Sequence, residues 1–159
     1  MPTSSYTSME ATLLNILRLA LSQVDGAPPL EIDQPRLSDA VETGADGQVD
    51  DRYRAVLMPG ALEEAGDQLV NPPPFHLITV FQVGLHGIGS DTAVRRGFLQ
   101  ELGVIISAAL EANPQLSGTA SYARTIRRDT DTSHERGFAP ETLLELAIEV
   151  EFDAPTRAG

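Results

Sequence analysis

Cysteine is absent from this 159-residue chain, which excludes disulfides, thiolate metal sites and cysteine nucleophiles. Lysine is absent as well. All 11 basic residues are arginines, set against 23 acidic ones, for a formal net charge of −12. A protein that binds duplex DNA or a membrane surface needs a basic footprint, which this composition does not supply. No apolar run approaches the roughly 18–20 residues of a spanning helix. The opening Met1-Pro-Thr-Ser-Ser lacks the basic segment of a secretory signal. The length suits one domain with a real core and is short for two. An all-arginine basic set has two readings: a GC-rich coding sequence, or a use of the planar guanidinium in bidentate interface ion pairs.

The chain opens on an expected helix from Ser8 to Val24. Thr7 and Glu10 have the spacing of a capping box, which satisfies free amides at a helix start. Leu13, Leu14, Ile16, Leu17, Leu19, Ala20, Leu21 and Val24 cover more than one face. A helix this apolar needs contacts on two sides: its own sheet and, beyond it, a neighbouring subunit at positions such as Leu14. Gly26, Pro28 and Pro29 end it, and a short extended run follows at Leu30–Asp33. Ser38 to Asp51 is acidic and glycine-containing, which predicts an exposed loop. Arg52–Met58 is a second strand candidate, and Ala61–Leu69 has room for a helical turn.

Pro72, Pro73 and Pro74 block helix and impose an extended approach to the next strand, Phe75 to Val83. Phe75, Leu77, Thr79, Phe81, Val83 and Leu85 share one face, while Ile78 and Val80 add apolar character to the other. This predicts a central strand. A helix from Ser90 to Glu111 follows, with Val94, Phe98, Leu102, Ile105, Ile106 and Ala109 as its stripe. Thr119 to Arg128 suits an edge strand, because its arginines tolerate solvent. Glu141 to Phe152 alternates cleanly, with Leu144, Leu146, Ile148, Val150 and Phe152 on one side. The expected fold is therefore α+β: a mainly antiparallel sheet with two principal helices packed on one face, in a single domain over residues 1–159. Loose ends are expected at about 1–7 and 153–159.

Motifs with chemical content are few. Gly84-Leu-His-Gly-Ile-Gly89 before a helix invites an anion-site reading through backbone amides. Its spacing, however, is neither the dinucleotide fingerprint nor a Walker loop, and a strand-to-helix turn is the plainer expectation. Asp129, Asp131 and Ser133 resemble the start of a calcium loop, yet His134 and Pro140 stand where that loop needs Gly and Glu. A polar hairpin loop is expected there. His76, His86 and His134 lack zinc-ligand spacing. His86, Ser90 and Asp91 supply triad residue types without a nucleophile elbow. No catalytic set, cofactor or metal is expected, and Arg95-Arg96 and Arg127-Arg128 are read as solvated charges or subunit ion pairs.

The layout as a whole resembles the tail terminator (tail completion) proteins of long-tailed bacteriophages. The likeness is carried by the N-terminal helix, the Pro-introduced central strand and the helix ending in Ala112-Asn-Pro-Gln-Leu-Ser-Gly118. The arginine-bearing strand, the polar hairpin and the alternating strand Leu144–Phe152 complete it, from about Met9 to Phe152. The resemblance implies a structural, non-enzymatic virion protein, assembled in the host cytoplasm. It would form a homo-oligomeric ring, typically a hexamer, at the head-proximal end of the tail. Such a ring caps the major tail tube protein, stops tube growth and docks a head-completion or neck connector protein. DNA only passes through its lumen, which surplus negative charge would suit, and no membrane is involved. Interface residues are then expected at Leu14, Arg95, Arg96, Arg124, Arg127 and Arg128. A head-completion or neck protein, or the cap of a phage-like contractile injection particle, is an alternative of the same class. A small acidic enzyme with an anion site at the Gly84–Ser90 turn is one of another class.

Overall fold

A computed structural model describes residues 4–32, 52–66, 73–89, 91–133 and 141–159. The expected acidic loop at 38–51 lies outside them. Helix α1 spans Ser5–Ser22 and α2 spans Thr92–Ala112. The strands are β1 (Leu30–Ile32), β2 (Arg52–Met58), β3 (Leu62–Glu64), β4 (Phe75–Ile88), β5 (Tyr122–Ser133) and β6 (Glu141–Ala154). Ala61–Leu69 thus holds a strand where a helical turn was expected. The sheet order is β1-β2-β4-β6-β5, with β3 also on β4. Every pairing is antiparallel except that of β1 with β2. The molecule is an α+β single domain.

Strand β4 organises the sheet. All of its residues, from Phe75 to Ile88, pair with β6 in one unbroken register from Ala154 to Glu141. On its other side β2 and β3 lie end to end, pairing Met58 with Gln82 and Leu62 with Thr79. They form one broken strand whose register slips by a residue at Pro59-Gly60-Ala61. Gly60 sits in that slip against β4. A Cβ there would lie 2.2 Å from the Val80 carbonyl oxygen, so only glycine lets the two backbones approach.

Cross-strand partners share a face. Phe81, Val83 and Leu85 of β4 therefore stand beside Ile148, Leu146 and Leu144 of β6, and this face is the buried one, as the alternation of both strands predicts. The helices cover it side by side. Met9, Leu13, Leu17 and Leu21 anchor α1, while Tyr6 stacks on Phe81 at 6.2 Å between centroids and meets Phe152 at 6.0 Å. The cap of α1 is Ser4, whose Oγ accepts the Thr7 N–H at 3.0 Å, so the helix starts a turn before the expected Thr7 cap. Near the C-terminus the Arg157 guanidinium lies 4.2 Å over the Phe75 ring and pairs with Glu64.

The inward stripe of α2 is rotated from the expected one. It comprises Arg95, Leu99, Leu102, Gly103, Ile106 and Leu110, leaving Val94 exposed. An arginine among apolar residues hides this stripe from a hydrophobicity pattern. After α2, Leu116, Ser117 and Gly118 all take positive φ, at 45°, 55° and 87°, which reverses the chain tightly. Leu116 fills the core beneath the turn.

Two glycine substitutions should have opposite signs. Gly60→Ala should lower unfolding free energy by about 1–3 kcal/mol, because the Val80 backbone must move. Gly97→Ala, inside α2 with nothing within 4 Å of the new carbon, should raise it by about 0.5–1 kcal/mol. Urea titrations of the two variants check both.

Candidate functional site

The residues singled out in the sequence separate into three places. Arg95 is the first, and it corrects an expectation: it is not a surface charge but 1% exposed. Its Nε donates to Thr142 Oγ1 at 3.0 Å, one terminal nitrogen donates to the Gly89 carbonyl, and the other donates to Thr92 Oγ1 at 3.1 Å. One guanidinium thereby joins the end of β4, the start of α2 and the start of β6. Gly87 makes room for it, since a Cβ there would lie 2.7 Å from the Arg95 Cγ. Arg96, its neighbour, is exposed.

The glycine-bearing segment before α2 is likewise not the expected turn. Leu85 to Ile88 continue β4, and Asp91 caps α2 by accepting the Val94 N–H at 3.1 Å. A carboxylate and the Arg95 anchor thus occupy the corner where an anion would sit. Ser90 lies outside the described residues, as do His134 and Glu135. His86 turns to the sheet face away from the helices, where its Nε2 lies 3.3 Å from Glu141 Oε2. It borders a cleft of about 340 Å³ with Glu31, Arg52, Tyr53, Arg54 and Ile88. Burial pushes the His86 imidazole below its ordinary pKa, Glu141 opposes this, and Arg54 and Arg95 add to it. Among the described residues no group of three or more His, Asp or Glu is placed to hold a metal ion. Asp129 belongs to β5 and pairs with Arg127 at 3.0 Å; the segment through Ser133 is strand where a loop was expected.

The third place is the outer edge of the sheet. Arg124, Arg127 and Arg128 all lie on β5, which among the described residues pairs only with β6. Arg124 bonds Glu149 at 3.1 Å and lies over the Tyr122 ring. A bulge at Ile126 shifts the register between Thr125 and Arg127. In a regular strand Arg124 and Arg128 would share a face. With the bulge, Arg124 and Arg127 stand on the open face, opposite Glu149 and Ala147, and Arg128 stands on the helix side, opposite Leu146. There it borders a groove against α2. Nothing in the residue pattern marks this bulge. Leu14 is half-buried against the core; the outermost apolar residue of α1 is Leu19, 65% exposed.

The open face also carries a row of β6 carboxylates. Glu141, Glu145, Glu149, Glu151 and Asp153 alternate along it, with His86, Tyr122, Arg124 and His76 as partners of four of them. Among the described residues no helix is long and apolar enough to cross a membrane. Comparison with protein families and with curated proteins finds no match for this chain.

Two measurements test these placements. Arg95→Ala should cost about 2–4 kcal/mol, by leaving a void and stripping donors from buried acceptors, whereas Arg96→Ala should stay within about 0.5 kcal/mol. The pH dependence follows from His86. An unfolded histidine takes its proton near pH 6.5, and the folded one resists it. The stability this represents is therefore intact above about pH 6.5 and declines as pH falls below it, because the unfolded chain binds the proton first. His86→Gln should flatten that part of a stability-against-pH curve from chemical unfolding.

Proposed function

We propose that this chain is a structural ring subunit that caps the head-proximal end of a bacteriophage tail tube, halts its growth and joins it to the head connector. The observation that carries the assembly part is the outer edge of β5, which is unpaired among the described residues. It is a 12-residue strand, with arginines and the exposed Ile126 along it, in a chain of net charge −12. A long uncovered edge is a template for association, and guanidinium groups on an acidic protein find carboxylates on further copies of it.

Three other features support the reading. Two of the three residues that supply triad types are engaged in the fold: His86 with Glu141 and Asp91 at the start of α2. The carboxylate row of β6 lies on the sheet face opposite α1 and α2, a surface suited to DNA that must slide without sticking. The sequence layout resembles the tail terminator proteins, and its N-terminal helix, central strand, second helix, arginine-bearing strand and alternating last strand are α1, β4, α2, β5 and β6.

Arg127→Glu with Arg128→Glu should weaken ring closure or tube docking. Isolated exposed pairs contribute only about 0–1 kcal/mol, but a ring repeats each contact around its axis. The melting temperature of the isolated subunit should barely move. Electron microscopy of tails assembled with the variant should show overlong tubes or tails without heads. Normal tail lengths and normal head joining would show these arginines to be merely solvated, and a wild-type chain that stays monomeric at every concentration in native mass spectrometry would overturn the ring itself.

A further inference from the structure

Two grooves run along the molecule's borders. One, of about 180 Å³, lies between α2 and β5; it is lined by Gly103, Val104, Ser107 and Ala108, with Glu111 and Arg128 as its charges. The other, of about 350 Å³, lies between the end of α1 and β1, floored by Leu21, Pro28 and Leu30 with Arg18 at its rim. Exposed Asp25 stands beside it in the chain. Among the described residues β5 and β1 are the two ends of the sheet, so the grooves belong to opposite borders.

Each border carries one cation and one carboxylate beside an apolar floor. Within the subunit these charges are not used up. Among the described residues Arg128, Glu111 and Asp25 have no ion-pair partner, and Arg18 spends only its Nε, on the Leu30 carbonyl at 2.9 Å. Val104 projects from the first border with 59% of its surface exposed. Two unlike patches on opposite sides cannot meet each other across a two-fold axis. They can meet head to tail, which is the heterologous geometry that rotation closes into a ring.

We propose that the α2–β5 border of one copy seats against the α1–β1 border of the next. Val104 enters the groove floored by Leu21 and Leu30, Arg128 faces Asp25, and Glu111 faces Arg18. The occupant of each groove is thus a second copy of this chain, an assignment that rests on the ring reading above.

The lack of native cysteine makes the contact directly testable. A Val104→Cys, Pro29→Cys double variant, oxidised under native conditions, should give a covalent ladder rising to the mass of the ring. Either single variant should give none. A covalent dimer from Val104→Cys alone would mean a two-fold contact and overturn the proposal. Full-mass rings without any ladder would overturn the border assignment and leave the ring standing, whereas a wild-type chain monomeric at every concentration would overturn both. Charge reversal gives an independent reading. Arg128→Glu alone and Asp25→Arg alone should each lower the assembled fraction roughly tenfold or more, since like charges then face each other at every contact. Mixing the two variants in equal amounts should restore assembly, because unlike borders match in an alternating ring. Failure of the mixture to recover, with both variants folded by circular dichroism, would also overturn the proposal.

Discussion

The unbroken ladder between β4 and β6 is the constraint on which the rest of the molecule depends. Fourteen residues of each strand face one another without a slip, and the period of two then dictates every side chain's face. Phe81, Val83, Leu144, Leu146 and Ile148 fall on one side and create the surface that both helices must cover. The carboxylates of β6 fall on the other. A one-residue slip would exchange the two sets, which burial of the apolar set forbids. The broken strand β2–β3 pairs along β4 on either side of Gly60, where the backbones come too close for a side chain to fit without a shift.

The corner where β4, α2 and β6 meet is held by a charge rather than by hydrocarbon. The Arg95 guanidinium is buried, and its bonds to Thr142, Gly89 and Thr92 offset part of the desolvation that burial imposes. Gly87 leaves the space in which its stem lies. The same corner contains the residue types that make an enzyme reading thinkable. There Asp91 caps α2, His86 meets Glu141 beside the cleft, and the Arg95 guanidinium clamps three elements together.

The borders differ from this interior. Strand β5 bulges at Ile126, so Arg127 rather than Arg128 joins Arg124 on the open face, and Arg128 turns to the groove beside α2. A bulge increases local twist and interrupts the flat edge that promotes unregulated strand addition. An edge shaped in this way disfavours indiscriminate strand pairing.

By itself the sequence determined the α+β class, the central place of β4, the edge place of β5 and the inward faces of β4 and β6. Strict alternation, Pro-rich boundaries and arginines on an outer strand each have one physical reading, and each is local. Only the tertiary structure decided where Arg95 lies, that Gly84 to Ile88 extend a strand rather than form a turn, and which arginines share a face. A buried arginine has the same letter as a solvated one. Its burial depends on Thr142, distant in the chain, and on the side chain that Gly87 lacks. The bulge exists only in the register of β5 against β6, so no stretch of β5 alone could reveal it.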